Sequence, residues 1–133
     1  MKTAETLGFA ERGAKELALL LASEAWRELN DEKWTRQAEL AVFAPLETGA
    51  WMDGVIDFVL HDPAAGVVWV LDWKTNRRRA TEQGEAMLAR LREEYRPQLG
   101  AYGRAVRGFF PGCAVKLLVY ASGLGEWTEV GTD

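Results

Sequence analysis

Three residues of this chain have types and a spacing that could do chemistry: Asp57, Asp72 and Lys74. They stand in W51-M-D-G-V-I-D-F-V-L60 and V67-V-W-V-L-D-W-K74, stretches otherwise rich in apolar residues. Burying an unpaired carboxylate costs roughly 2 kcal/mol or more, so Asp72 at the end of an apolar run needs a cation. Lys74, two positions on, is a ready partner, and for a lone D-x-K an ion pair closing a strand is the simpler account. Asp57 changes the balance, because two acids beside one lysine exceed what an ion pair requires, and like charges a few Å apart repel unless a cation stands between them. A hard divalent cation, Mg²⁺ or Mn²⁺, suits such a place, taking oxygen from the two carboxylates, the backbone carbonyl of Trp73 and water. Lys74 is then left to activate a water or to stabilise charge on a phosphate under attack, a set suited to metal-dependent phosphodiester hydrolysis.

The elements that must position these groups are two strands and a tight connection. Val67 to Trp73 is an almost unbroken β-branched and aromatic run after Gly66, the pattern of a strand covered on both faces and central in its sheet. Alternation puts Asp72 and Lys74 on one face with Val68 and Val70, and Trp69, Leu71 and Trp73 on the other. In the preceding strand, Trp51, Asp53, Val55, Asp57 and Val59 should share a face. The D-P-A-A-G connection makes the pair a hairpin, and counting back from Pro63 to Gly66 sets Asp57 roughly opposite Asp72.

The order G54-V-I-D57, then D72-W-K74 fifteen positions after Asp57, then Q98-x-x-x-Y102 resembles the PD-(D/E)XK nuclease superfamily, in particular its RecB-like branch. The resemblance covers about residues 38 to 121. L71-D-W-K-T75 and Y95-R-P-Q-L-G-A-Y102 are its most specific parts. It implies a restriction-endonuclease-like core and places metal binding on Asp57 and Asp72, catalysis on Lys74, and support beside the site on Gln98 and Tyr102. It also implies a Mg²⁺- or Mn²⁺-dependent deoxyribonuclease, an exonuclease on single-stranded or unwound DNA, acting in DNA repair and recombination with a UvrD/Rep-type (AddA-like) helicase. Many members carry an acid in the first strand, where Glu39 stands here; a solvent-facing strand residue is the plainer account of it. Such nucleases also commonly carry a metal-binding histidine in the first helix. G13-A-K-E-L17 has none, and Glu16 and Glu24 are the acids available in its place. An inactive nuclease-fold module for DNA binding or helicase scaffolding is therefore the alternative.

With 133 residues, 48% of them hydrophobic, the chain reads as one domain, 1–133, with enough material for a core. The lack of an apolar 18-residue run or signal-like start, and a single cysteine, Cys113, suggest a cytoplasmic protein without a membrane span. A net charge of −4 argues against a nucleic-acid partner, yet Trp73 to Arg107 holds nine basic and four acidic residues, a local +5. The triplet Arg77, Arg78 and Arg79, just past Lys74, is a candidate contact for a phosphate backbone, with solvated loop the equal alternative. A third possibility is a single-strand-binding surface, which requires several of the six tryptophans on one open face.

The rest of the chain supplies the frame. Thr6 to Leu29 has a helical apolar stripe, and Ala38 to Leu46 reads as a strand. Glu85 to Phe110 reads as a helix interrupted near Pro97, with Tyr95, Gln98, Tyr102, Val106 and Phe109 on its inner side. Cys113 to Ala121 reads as a further strand, followed by loose residues or an edge hairpin around Trp127, with His61 at a surface turn. The order is α-β-β-β-α-β: an α/β (α+β) fold with a central mixed sheet flanked by helices. No G-x-x-x-x-G-K-[ST] phosphate loop is present, so this chain is no ATP-driven motor by itself.

Overall fold

The computed structural model describes residues 4–75, 79 and 81–131. Its elements are α1 (Ala4–Ala22), α2 (Glu24–Leu29), β1 (Thr35–Pro45), β2 (Trp51–Asp62), β3 (Val67–Lys74), α3 (Gly84–Phe109), β4 (Ala114–Ala121) and β5 (Glu126–Val130). The strands form one sheet in the order β1-β2-β3-β4-β5. β1, β2 and β3 make an antiparallel meander, β4 runs parallel to β3, and β5 returns antiparallel to β4. β3 is thus central and α3 is the crossover that a parallel pair requires. The expected α-β-β-β-α-β order is present, with the first helix divided and a fifth strand, containing Trp127, added as the edge hairpin.

The division falls at Ser23. Its hydroxyl donates to the Leu20 carbonyl at 2.7 Å and accepts the Trp26 N–H at 3.1 Å, so one side chain ends α1 and caps α2. α3, in contrast, runs through Pro97 without interruption. Pro97 is exposed and the helix is anchored on both sides of it by buried Leu91 and Leu99, which outweighs one lost hydrogen bond.

Alternation along β3 sorts the core into two layers. Val68 and Val70 meet α3 through Leu91, Leu99 and Val106, while Trp69, Leu71 and Trp73 meet Leu20 and Ala25 of α1 and α2 on the other face. β2 departs from strict alternation. Met52, Gly54 and Ile56 face α3, but so does Val59, while Phe58 packs on the α1/α2 side. The slip occurs at Asp57, so the single face expected for Trp51 to Val59 does not exist. Opposite it in β1, Glu39 has a left-handed φ of 54°, and the pair 39/57 is skipped in an otherwise continuous register from Ala38↔Phe58 to Leu40↔Ile56.

The β2–β3 turn forms as its residues dictate: Asp62 Oδ1 accepts the amides of Ala64 and Ala65, and Gly66 takes φ 67°. His61 is not on that turn. It lies in β2, half-buried, 4.7 Å from the Phe110 ring and 3.8 Å from Cys113 Sγ, because β2 runs on to Asp62. Cys113 is half-buried and just precedes β4. No helix among the described residues is long and apolar enough to cross a membrane. Leu91, fully buried between α3 and the sheet, should cost about 2–5 kcal/mol when changed to Ala, read from the urea midpoint at unchanged slope.

Candidate active site

The β2–β3 ladder closes at Phe58↔Leu71, and the same register carried one step further sets Asp57 against Asp72. There the strands stop exchanging backbone hydrogen bonds. At the slip, the Asp57 carboxylate turns along the sheet and accepts the Trp73 N–H through Oδ2 at 2.6 Å. In an extended strand a residue's N–H and C=O point the same way, so the Trp73 carbonyl also faces the β2 side. The neighbouring Lys74 carbonyl faces β4, where it accepts the Ser122 N–H at 3.0 Å.

Asp72 is only 4% exposed. Burial pushes its carboxyl up from 3.8 to about 6, aided by the adjoining Asp57 carboxyl and opposed by Lys74. Lys74 Nζ lies 2.8 Å from Asp72 Oδ2 and donates to Gln98 Oε1 at 3.0 Å. The same ammonium stands 4.0 Å from the ring centroid of Tyr95. Tyr102, one turn after Gln98 on α3, donates its hydroxyl to the Val55 carbonyl at 3.4 Å. Burial, then the charges of Asp72 and Asp57, push that hydroxyl up, so it remains a donor at neutral pH. Asp57, Asp72, Lys74, Gln98 and Tyr102 are therefore brought together.

Gly54 is what admits Tyr102. A Cβ there would lie 2.8 Å from both Cε1 and the hydroxyl oxygen of the tyrosine, closer than real Cβ atoms come. The glycine three positions before Asp57 thus has a steric reason: the ring rests on the β2 backbone. Tyr95 and this Gly54–Tyr102 contact were missed by sequence reasoning. The spacing of Tyr95 to Gln98, three residues on a helix, was the signal available for the first.

Glu39 is exposed and, with Ala38, Asp57, Phe58 and Trp73, lines a cavity of about 350 Å³. Arg77 and Arg78 lie outside the described residues. Arg79 is exposed, and its backbone N–H donates to Glu82, which Arg90 grips through two nitrogens at 2.9 and 3.0 Å. Arg90, then the Arg79 amide, hold the Glu82 carboxyl down at about 2. Glu16 and Glu24 do not join the site. Glu16 lies near the Tyr120 hydroxyl and Glu24 lines a hollow with Gly125, Glu126 and Trp127, on the face of the sheet away from Asp72. Among the described residues no three His, Cys, Asp or Glu side chains gather as a metal cage. The oxygens that the β2–β3 opening gathers are those of the two carboxylates and, on the same side of β3, the Trp73 carbonyl. Nor do the tryptophans form an open face: Trp34 packs on Trp69, Trp69 on Trp127 and Trp73 on Tyr120, leaving Trp51 as the one more than half exposed.

A family model for the PD-(D/E)XK nuclease superfamily matches residues 2–121. The chain belongs to the PD-(D/E)XK nuclease superfamily. Its five-stranded mixed sheet flanked by helices is consistent with the restriction-endonuclease-like fold, and the family supports a nuclease function acting on DNA. No curated protein matches the chain significantly.

The Gly54–Tyr102 contact gives this PD-(D/E)XK chain a pairwise test. Gly54→Ala should destabilise by about 1–3 kcal/mol through overpacking, and in a Tyr102→Ala background that cost should fall to a few tenths. Equal costs in both backgrounds, measured by urea denaturation, would show that the ring does not need the glycine.

Proposed function

We propose that this chain is a divalent-metal-dependent deoxyribonuclease of the RecB-like kind, with residues 1–133 as one nuclease domain. The observation that carries the reading is the meeting of Asp57 and Asp72 beside Lys74. Two carboxylates adjoin there, one of them deeply buried and paired with the lone ammonium of Lys74, and their oxygen chemistry fits a hard dication. Asp57, Asp72 and the Trp73 carbonyl would hold Mg²⁺ or Mn²⁺. Such an ion, when bound, lowers the pKa of a nucleophilic water and polarises a phosphoryl oxygen.

The chain's own groups account for the remainder. Asp57, fixed by the Trp73 N–H, keeps its carboxylate oriented without needing a cation to hold it. Lys74, held by Asp72 and Gln98, presents its ammonium to the charge that develops on the phosphate and can orient the attacking water. Tyr102 and Gln98 fix the distance between α3 and the strands, so that Lys74 does not drift from the acids. Glu39, which lines a cavity together with Asp57, would meet the same substrate, and Arg77, Arg78 and Arg79 would neutralise the phosphate backbone. The motif order supports the RecB-like assignment, and with it exonucleolytic action on unwound DNA in repair or recombination, partnered by a UvrD/Rep-type helicase in the cytoplasm. A second reading, an inactive fold retained for DNA binding or helicase scaffolding, draws on the missing first-helix histidine.

Incubation with labelled single- and double-stranded DNA separates the two. Cutting in Mg²⁺ or Mn²⁺, abolished by EDTA and reduced at least about a hundredfold in Asp72→Asn, is the expected result. Binding without cutting in every metal would leave only the inactive module. A pH series gives an independent check. Asp72 binds its proton more tightly folded than unfolded, so its contribution to stability is complete below 3.8 and is lost as pH rises through about 6. The metal-free melting temperature should therefore fall across that window relative to Asp72→Asn. Added Mg²⁺ or Mn²⁺ should raise it at pH 8 and not at pH 4.

A further inference from the structure

Lys74 has a hold that neither Asp72 nor Gln98 provides. Its ammonium carries three N–H bonds. One donates to the Gln98 amide oxygen at 3.0 Å, the Asp72 carboxylate forms an ion pair with the nitrogen at 2.8 Å, and the nitrogen stands over the ring of Tyr95, 4.0 Å from its centroid. Tyr95 is half-buried and precedes Gln98 by three residues and Tyr102 by seven, so one side of α3 carries all three. The lysine side chain is itself 16% exposed, which places this contact mostly out of water, where an aromatic face attracts a cation most strongly.

We propose that Tyr95 is a positioning residue for Lys74, seating the ammonium on its ring face. The need for it follows from the acid pair. An Asp72 carboxylate engaged with any other cation attracts Lys74 less, and a lysine with four methylenes and no second anchor would swing to solvent. Gln98 and Tyr95 are both uncharged. They attract the ammonium through a dipole and a quadrupole, and so hold it without adding a third carboxylate to a place already crowded with two. A ring is the more suitable of these anchors, because it lets the ammonium turn its donors toward a neighbouring oxygen while its position stays fixed. This role of Lys74 in cleavage rests on the nuclease reading above; the seating itself does not.

The test therefore has one arm that needs no activity. In protein labelled with ¹³C-lysine, the ε-methylene of Lys74, assigned by its absence from Lys74→Met, should lie upfield because of the Tyr95 ring current. Lys33 and Lys116, which stand 4.9 and 4.7 Å from the Trp34 and Trp69 ring centroids, are internal references that must not move. Tyr95→Phe should keep the upfield position and Tyr95→Leu should lose it, with Tyr95→Met as substitute should the leucine variant fail to fold. In the cleavage assay Tyr95→Phe should stay within about twofold of the parent. Tyr95→Leu should lose about tenfold in kcat with KM for DNA unchanged. An unmoved Lys74 signal in Tyr95→Leu overturns the proposal, as does loss of the upfield position in Tyr95→Phe, which would assign the effect to the hydroxyl. A parent protein that cuts no DNA defeats the nuclease reading alone, and the resonance shifts still decide the seating.

Discussion

Two carboxylates adjoin between β2 and β3, one of them almost fully buried, and much of the surrounding structure answers that crowding. Asp72 is at the end of the central strand, the place where its apolar run is best covered, and it is almost fully buried. A carboxylate so placed loses its hydration and gains a like-charged neighbour, which is why its proton is held up to about pH 6. Lys74 relieves the strain only in part. Asp57 is made tolerable by a different route, a 2.6 Å hydrogen bond from the Trp73 backbone, which requires β2 and β3 to part company at that point. The opening of the ladder and the placement of the acids are one event.

α3 must then do two jobs on one side. Leu91, Leu99 and Val106 fill the core against Val68 and Val70, while Gln98 and Tyr102, within the same turns, meet polar groups at the strand ends. The helix can do both because the spacing of three and four residues that builds an apolar stripe also lines up polar tips just beyond its edge. Close approach is the condition. Gly54 removes the one side chain that would hold Tyr102 away from β2, and at Gly103 a Cβ would come within 3.1 Å of Leu117, so glycine there lets α3 lie close to β4. The tolerance of Pro97 in mid-helix has the same origin, since a helix held along its length by packing survives the loss of one hydrogen bond.

How far the sequence disclosed this depends on the range of the interactions concerned. The strand pair, its turn, the opposition of residues 57 and 72 and the two faces of β3 follow from period-two alternation and from Asp62, Pro63 and Gly66, all local signals. The slip at Glu39 and Asp57 does not. It involves one residue in each of two strands, leaves the register sum intact, and so produces no frame shift that a pattern could reveal. The break at Ser23 was written in a capping residue but masked by an apolar stripe that continues on both sides of it. Spacing alone makes Tyr95 part of a core stripe, because a ring that receives a cation and a ring that fills a cavity occupy the same helical position. For His61 the pattern points to the turn, because nothing local shows that β2 continues to Asp62.

The acids of the first helices illustrate the limit of substituting by composition. Glu16 and Glu24 have the right functional group to stand in for a missing histidine ligand, and a one-dimensional reading allows either. In the fold, the Ser23 cap swings α2 so that Ala25 closes the layer beneath Leu71 and Leu118, and Leu19 approaches Gly125 at the β4–β5 turn. α1 and α2 are thereby committed to the β4–β5 half of the opposite face, with Glu16 within electrostatic reach of Tyr120 and Glu24 lining a hollow with Trp127. The sheet, whose β3 carries Trp73 on that face and Asp72 on the other, lies between them and the acid pair. Glu39 is different: it is already next to Asp57 across the skipped pair, held there by an unusual backbone conformation in the adjoining strand. Adjacency in the sheet, not residue type, determines which acid lies beside Asp57.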